Sequence, residues 1–355
     1  MVVTILDLTG RNDDSQARLA LAAVMACTSI FGQGKTRLSA ASAFPTSLPL
    51  VGDGALKFAR RVERASAGAL EVRVAEPGAL VPALQAIQAT SQGSVDAAWS
   101  NGAFFAGVDS AFHMFSAVPF GPGSPEYLAW MYHGGGLTLA RELYGKYGVV
   151  NIPCAIFPPE ASGWFRKEIR TVADFGGLKM RFVGLGANVL AKLGAAAQTI
   201  AAGDIFQALQ NGTIDATEFS VPSIDQKLDF HQVAKFYYFP GWHQQATFVD
   251  FYVNQKKWEA LADAHKAIIE QACGDQIRDM IAEGEASQWK ALAELRERGV
   301  QIRRWSPEIL AALEKAWGEV ITEESAKNPN FRRVYASYAK FRADYAIWRE
   351  HGYLK

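Results

Sequence analysis

The segment Gly177-Leu-Lys-Met-Arg-Phe-Val-Gly-Leu-Gly-Ala-Asn-Val-Leu190 carries the pattern that decides the fold: an extended run, a glycine turn and a helix. Leu178–Phe182 predicts the strand and Ala187–Leu193 the helix. Such a turn leaves backbone N–H groups pointing at an anion, and Arg181 on the strand offers a forked contact to a carboxylate. From the residues alone, a carboxylate clamp and a surface salt bridge are equally good interpretations of Arg181.

Strands and helices alternate on both sides of this segment, which favours an α/β class. A chain of 355 residues exceeds one ordinary compact core, so two lobes are expected. We expect residues 34–158 to form lobe I, completed by about 250–300, and residues 159–249 to form lobe II, completed by part of 301–330. The chain must then cross between the lobes more than once, and such crossings act as hinges.

Turn residues mark where several helices begin or break. Ser124-Pro125-Glu126 and Ser306-Pro307-Glu308 are helix starts, each with a capping Ser and a Pro at the first helical position. The helix that begins at Ser124 meets Gly134-Gly135-Gly136, where it must break or tolerate three glycines. From Val253 onward the chain is predicted to be mainly helical.

Residues 1–33 are predicted to be a signal or leader segment. The apolar stretch Leu19–Phe31, 13 residues long, matches the length of a signal-peptide core and is too short to span a membrane. Export to the periplasm is the expected result. Val24-Met25-Ala26-Cys27 approaches a lipoprotein cleavage motif, but Met at its middle position is atypical, so lipid anchoring is the less favoured outcome.

Composition excludes some classes of protein. Hydrophobic residues make up 49% of the chain, charged residues 20%, and the formal net charge is zero. These values exclude a highly charged disordered chain and give no electrostatic reason to expect nucleic acid as a partner. Beyond the leader, Cys154 and Cys273 remain; two buried free thiols are favoured over a disulfide, because sequence does not show their geometry.

An ordered set of motifs carries a resemblance to a known family. They are Gly163-Trp-Phe-Arg-Lys-Glu-Ile169, Gly177-Leu-Lys-Met-Arg-Phe182, Gly184-Leu-Gly186, Asp204-Ile-Phe-Gln-Ala-Leu209, Gly212-Thr-Ile-Asp-Ala-Thr-Glu218 and Tyr237-Tyr-Phe-Pro-Gly-Trp242. From about Lys35 to the C-terminus, the chain resembles the solute-binding proteins of tripartite ATP-independent periplasmic (TRAP) transporters, in the branch that binds 2-oxo or 2-hydroxy monocarboxylates.

This resemblance implies both a fold and a function. The fold is that of a two-lobed periplasmic binding protein, with an interlobe cleft and long C-terminal helices. The function is extracytoplasmic capture of a small monocarboxylate by closure of the lobes, followed by delivery to the membrane subunits of the permease. No catalysis and no organic cofactor are implied.

The resemblance also assigns roles to residues. Arg181 matches the arginine that binds the substrate carboxylate, and Glu218 and the carbonyl of Phe219 match ligands of a metal ion that bridges protein and substrate. These are hard oxygen ligands, suited to sodium or calcium. Where the branch usually has a metal-ligating Gln, this chain has Glu160. A paired-carboxylate site that favours a divalent ion is one reading; a shifted loop with Glu160 exposed and the metal absent is the other.

The remaining candidates surround these polar groups. Related proteins often place two adjacent Tyr where this chain has Gly102-Ala-Phe-Phe105, so Asn101 is expected to supply a replacement hydrogen bond. Gln244 is expected to contribute from the rim. The aromatic residues predicted to line the cleft are Trp99, Phe104, Trp164, Phe182, Phe219 and Trp242.

Residues 331–355 are predicted to form an amphipathic C-terminal helix. Phe331, Val334, Tyr338, Phe341, Tyr345 and Trp348 form an apolar seam at coiled-coil spacing. Members of the resembled branch commonly dimerise through C-terminal helices, so a homodimer is favoured. The alternative is that the helix lies across its own two lobes.

Two other functions use the same cleft. One is an enzyme that acts on a small carboxylic acid, with Glu160 and Glu218 as acid and base. The chain lacks a nucleophile elbow, a zinc-spaced His pair and an intact cofactor loop, so catalysis is disfavoured. The other is a ligand-sensing module presented to a membrane receptor.

Overall fold

The computed structural model describes residues 35–354, and the leader predicted at 1–33 lies outside them. Its strands are β1 (Thr36–Ser42), β2 (Leu70–Ala75), β3 (Ala97–Ser100), β4 (Val149–Phe157), β5 (Gly163–Phe165), β6 (Lys179–Arg181), β7 (Ala196–Gln198), β8 (Ala216–Thr217), β9 (Phe236–Phe239), β10 (Thr247–Asn254) and β11 (Gln301–Arg304). Its α-helices are α1 (Asp53–Ala65), α2 (Ala86–Gln92), α3 (Ser124–His133), α4 (Gly136–Gly145), α5 (Leu185–Lys192), α6 (Ile205–Gln210), α7 (Pro222–Asp225), α8 (Gln255–Ala260), α9 (Asp263–Glu297), α10 (Pro307–Lys327) and α11 (Pro329–His351).

The described strands form two mixed sheets. The first has the order β2-β1-β3-β10-β4, and the second has the order β11-β9-β5-β8-β6-β7. In the first sheet β1 and β3 run parallel, whereas β10 is antiparallel to both β3 and β4. In the second sheet β6 runs parallel to β7 and β8, which brings the carboxyl ends of β6 and β8 to one edge.

The chain passes between these sheets more than once, as expected for a two-lobed fold. It leaves the first sheet after β4, returns to it with β10 after β9, and crosses again to place β11 in the second sheet. The first sheet therefore uses residues 36–157 and 247–254, and the second uses residues 163–239 and 301–304. We keep residues 34–158 and 159–249 as the proposed lobe boundaries. The α/β fold with two sheets and long C-terminal helices agrees with the predicted class.

Local sequence explains where the long helices begin and end. The Ser306 and Asn328 side chains accept hydrogen bonds from the first turns of α10 and α11, and each helix has a Pro in its first turn. Gly135, with φ 90°, separates α3 from α4, because this left-handed backbone conformation suits glycine. The helix predicted from Ser124 therefore breaks at the glycines.

A disulfide ties α9 to the first sheet. Cys154 on β4 is bonded to Cys273 on α9, across a sequence separation of 119 residues. The prediction of two free thiols was wrong, because the fold brings a strand and a helix that are distant in sequence into direct contact. Such a bond belongs to an oxidising compartment.

The C-terminal helix α11 buries only the first half of its apolar seam in its own chain. Phe331, Val334 and Tyr338 are buried, and Tyr338 lies edge-on to Trp130 of α3 with ring centroids 5.3 Å apart. Farther along, Trp348 is 57% exposed. Half of the residues of the predicted seam are thus buried within the chain. Across residues 35–354, no helix is long and apolar enough to cross a membrane.

Candidate functional site

Arg181 ends β6 at the sheet edge where β8 also ends. The strand is followed by Gly184, whose φ of 79° turns the chain into α5, as the strand–turn–helix pattern predicts. The Glu218 backbone N–H donates to the Arg181 carbonyl at 3.0 Å, which places the two side chains side by side. Both residues are nearly inaccessible to solvent, at 2% and 1% exposure.

The guanidinium of Arg181 is held by three contacts. Nη1 donates to Glu218 Oε2 at 2.7 Å and to the Glu218 carbonyl at 2.6 Å, and Nε donates to the Ile200 carbonyl at 3.3 Å. Phe219 lies beneath it, with the guanidinium carbon 5.2 Å from the ring centroid. Burial lowers the pKa of Arg181, and the neighbouring carboxylates oppose that shift. Among the described residues Nη2 makes no hydrogen bond, so it is available to a ligand carboxylate.

Glu160 lies beside this pair, in the loop that follows β4. Its Oε1 accepts from the Thr247 hydroxyl at 2.8 Å. With its amide nitrogen facing the carboxylate, Gln244 donates to Oε2 at 2.6 Å and to Oε1 at 3.1 Å. Glu160 is only 2% exposed, which excludes the alternative of a shifted loop with this residue at the surface. Burial, followed by the proximity of Glu218, raises the pKa of Glu160 well above its usual value.

His243 completes a cluster with the two glutamates. One ligand atom from each of Glu160, Glu218 and His243 lies within 4.8 Å of the other two, and all three residues are buried. His243 Nε2 is 3.7 Å from Glu218 Oε1, and neither of its ring nitrogens has a hydrogen-bond partner among the described residues. Two buried carboxylates together repel each other unless a cation or proton intervenes, so the donor set fits a metal ion.

These groups face a cavity with an empty volume of about 410 Å³, part of which is open to solvent. Seven predicted residues are in its wall: Asn101, Phe104, Glu160, Arg181, Glu218, Phe219 and Gln244. The others are Phe44, Val51, Phe157, Val183, Ser220, Thr247 and Val249. Residues from both sheets and their following loops therefore surround one space with apolar walls and a few polar groups, as small-molecule sites do.

The other four predicted aromatic residues do not reach the cavity wall. Trp99 donates its indole N–H to the Val51 carbonyl at 2.8 Å, and Trp164 stacks on Tyr237 at 4.0 Å between ring centroids. Phe182 and Trp242 pack against each other at 5.8 Å. The structure therefore places the side chains of Trp99, Trp164, Phe182 and Trp242 in the core around the site rather than in the cavity wall.

Asn101 lines the cavity, and three hydrogen bonds hold its amide to the protein. Its Oδ1 accepts from the Ala103 N–H at 2.8 Å and from the Ser116 hydroxyl at 2.6 Å, and its Nδ2 donates to the Phe248 carbonyl at 3.1 Å. Asn101 therefore fixes the loop after β3. Its second Nδ2–H makes no hydrogen bond among the described residues, so the expected hydrogen bond to a ligand stays a prediction.

Sequence reasoning missed Thr247 and Val249 of the cavity wall. Both lie on β10, which is buried along its whole length and most of which precedes Val253, where the predicted helical part begins. Thr247 and Val249 are two residues apart in an extended run, so their side chains face the same side of the strand. This spacing was the signal from which they could have been predicted to share a wall.

The profile of one protein family matches residues 41–328: the bacterial extracellular solute-binding proteins of family 7, the DctP family. This match spans most of the chain. The chain belongs to this family.

Relatives of this family 7 protein include one curated protein and several solved structures. It is 33% identical over 295 residues to a monocarboxylate 2-oxoacid-binding periplasmic protein of Nostoc sp., covering 83% of this chain and 81% of the relative. It is 38% identical to a TRAP transporter solute-binding protein of Bordetella bronchiseptica, with a TM-score of 0.87 over 89% of this chain and 94% of the other. That protein was crystallised as a mixed-occupancy dimer, with copurified calcium and picolinate in one site.

A third relative comes from Pseudoalteromonas atlantica. This TRAP periplasmic solute-binding protein has 32% identity and a TM-score of 0.85, over 88% of this chain and 96% of the other, and it was solved with sodium and pyruvate. The predicted family and the two-lobed fold are confirmed. Because the family and these relatives are transporter-associated binding proteins, the prediction that this family 7 protein is not an enzyme is confirmed as well. Neither the enzyme nor the sensing module finds support among them.

Proposed function

We propose that this solute-binding protein captures a small 2-oxo or 2-hydroxy monocarboxylate together with a cation. The observation that carries the proposal is the buried Arg181, whose Nη2 is left for a ligand beside two buried carboxylates. An arginine in this position gives a carboxylate a charge-assisted hydrogen bond. An apolar wall with a few convergent polar groups suits a small acid.

The ligand's second functional group is expected to meet the cation rather than a protein donor. Most of the hydrogen bonds of the Asn101 amide go to the protein, so it offers the 2-oxo or 2-hydroxy oxygen a single N–H at most, and that oxygen needs a further partner. A cation held by Glu160 and Glu218 would supply it, and the Phe219 carbonyl stays a proposed ligand. The relatives solved with calcium and picolinate and with sodium and pyruvate support the pairing of acid and ion.

Charge balance favours a divalent cation. With both glutamates ionised, Arg181 and a bound monocarboxylate leave the cavity with two uncompensated negative charges. One divalent ion neutralises them, whereas a sodium ion leaves one negative charge buried, which is costly in a site of low dielectric. We therefore propose calcium or another divalent ion in this chain.

Closure of the lobes is the proposed capture step. The cavity wall combines Phe104 and Thr247, from the first sheet and its loops, with Arg181 and Glu218 from the second. A ligand that contacts both groups at once binds the closed form better than an open one and so shifts the population toward closure. The closed protein would then deliver its cargo to the membrane subunits of a TRAP permease.

Export and dimerisation are part of the proposal. The apolar stretch in residues 1–33 supports secretion to the periplasm, and the disulfide is compatible with that compartment. The exposed half of α11, where Ile347 is 69% and Trp348 57% exposed, supports a homodimer through this helix. Light scattering should then give a dimer for the wild type and a monomer for Trp348→Glu; a monomeric wild type would contradict this.

A thermal-shift screen tests the proposed function. Chelator-treated protein is heated with 2-oxo, 2-hydroxy and branched monocarboxylates, each with and without sodium or calcium. A ligand that binds only the native state raises the melting temperature by mass action. We expect a 2-oxo or 2-hydroxy acid to do so with a divalent cation present; no shift with any acid under any condition would contradict the proposal.

A further inference from the structure

His243 occupies a position that the proposed carboxylate site does not by itself explain. Its side chain is only 1% exposed, and its ring lies against Phe182 and Trp242, with centroids 4.7 and 5.5 Å away. Within residues 35–354 neither ring nitrogen makes a hydrogen bond. Buried polar atoms in native proteins almost always have a partner, so two unpaired nitrogens in one ring indicate a missing one.

The neighbours of His243 indicate what that partner is. Nε2 lies 3.7 Å from Glu218 Oε1, which is beyond hydrogen-bond distance. Two ligands of one metal ion, each about 2.1 Å from it, lie roughly 3 to 4 Å apart. Glu160 provides a third ligand atom within 4.8 Å of the other two. Arg181 occupies the opposite oxygen of Glu218, so Oε1 is the one turned toward His243.

Backbone contacts fix the loop that carries His243. The Glu160 N–H donates to the Gln244 carbonyl at 3.1 Å, and the Gly241 N–H donates to the Glu160 carbonyl at 2.9 Å. A Cβ at residue 241 would lie 2.2 Å from the Glu160 carbonyl oxygen, so only glycine permits this approach. The imidazole is thus held beside the glutamates by the backbone on both sides of it.

We propose that His243 Nε2 is a ligand of the cation held by Glu160 and Glu218, and that it makes the site prefer a transition-metal ion such as zinc over calcium. This inference rests on the proposed function, because it concerns the cation of the same cavity. Calcium takes oxygen ligands, whereas an imidazole nitrogen with carboxylate oxygens suits zinc and copper.

Metal titration of three proteins tests the inference. Chelator-treated wild type, His243→Gln and His231→Gln are titrated with zinc and with calcium. His231→Gln is the matched control, because His231 is also buried but lies outside the cluster. We expect wild type and the control to bind zinc at least about tenfold more tightly than calcium. His243→Gln should lose about tenfold or more of the zinc affinity while its calcium affinity changes little, since Gln offers an oxygen.

A spectroscopic measurement keeps the test independent of how the variant folds. Pulsed electron paramagnetic resonance of wild type loaded with less than one equivalent of copper should show coupling to an imidazole nitrogen, and the control should retain that coupling. An unchanged zinc-to-calcium ratio in His243→Gln, or no nitrogen coupling in wild type, would overturn the proposal. If wild type and His243→Gln bind pyruvate equally with either ion, only this inference fails; if wild type binds no carboxylate with any cation, the proposed function fails.

Discussion

Glu218 binds Arg181 twice through the same nitrogen: Nη1 donates to the carboxylate at 2.7 Å and to the main-chain carbonyl at 2.6 Å. The double contact fixes the guanidinium before any ligand arrives, so little side-chain freedom remains to be lost on binding. It also leaves Nη2 of the arginine and Oε1 of the glutamate for other partners. One buried pair can therefore serve a ligand carboxylate and a cation together.

Replacing Arg181 by Lys should weaken carboxylate binding by about 100-fold, because Lys keeps the charge but loses the planar fork that Glu218 and the ligand share. Calorimetric titration with pyruvate in the presence of calcium measures the loss. The exposed Arg166→Lys is the matched control and should bind like wild type. Unchanged affinity in Arg181→Lys would contradict the role of this residue.

Replacing Glu160 by Gln should change the cation requirement. One negative charge disappears, so a monovalent ion then neutralises the site, while Gln still offers an oxygen ligand. We expect calcium affinity to fall by about tenfold and sodium to support pyruvate binding, as measured by calorimetry in each salt. Asp344→Asn, at an exposed residue, controls for net charge. The same calcium preference in Glu160→Gln and wild type would refute the charge-balance argument.

Removing the Cys154–Cys273 disulfide should destabilise the protein. The bond closes a loop with a sequence separation of 119 residues, and its loss from Cys154→Ala/Cys273→Ala should cost about 2–5 kcal/mol of unfolding free energy. Urea denaturation measures this cost, and wild type under reducing conditions should behave like the double variant. Thiol titration of the unfolded, unreduced full chain should find one free cysteine of three; three would contradict the bond.

Because of Asp250, the free energy of unfolding should fall as pH rises. It is buried on β10, where it accepts from Asn151 at 3.2 Å, and burial raises its pKa to about 7. Because the folded-state pKa lies above the unfolded value, the native state holds the proton more tightly. The stabilisation is complete below about pH 4 and is lost as pH rises through about 7.

Asp250→Asn should therefore flatten the pH dependence and stabilise the protein at about pH 8, by roughly 2–4 kcal/mol relative to wild type. Urea unfolding at about pH 5 and pH 8 measures the difference. Asp225 has its pKa raised to about 7 by burial in the same way, so part of the pH dependence should remain. If the unfolding free energy of Asp250→Asn depends on pH as that of wild type does, the pH dependence does not come from Asp250.

The sequence predicted elements whose signals are local. The strand and helix around Arg181, the glycine break at Gly135 and the Ser306 start of α10 depend on residues within a few positions of one another. By contrast, the Cys154–Cys273 bond and the place of β10 in the first sheet depend on contacts across about a hundred residues or more. Local pattern carries no information on those contacts.

The residues of the site could likewise be predicted only where the sequence signal is local. Arg181 and Glu218 stood out because motifs surround them, and Glu160 because it departs from a motif. Trp164 was predicted to line the cleft but lies in the core, because an aromatic residue in a motif has the same local pattern whether it meets a ligand or stacks on Tyr237. The proposed role of His243 as a metal ligand needed the structure, because it rests on two ring nitrogens without a partner within residues 35–354.

The most direct test of the central claim is calorimetric titration of pyruvate into chelator-treated protein, before and after one equivalent of a divalent cation is restored. Arg181 and a cation are proposed to act together, since the ligand's two oxygen-bearing groups need both partners. We predict no measurable binding without the cation and saturable one-to-one binding with it. Equal binding in both titrations would contradict cation-dependent capture.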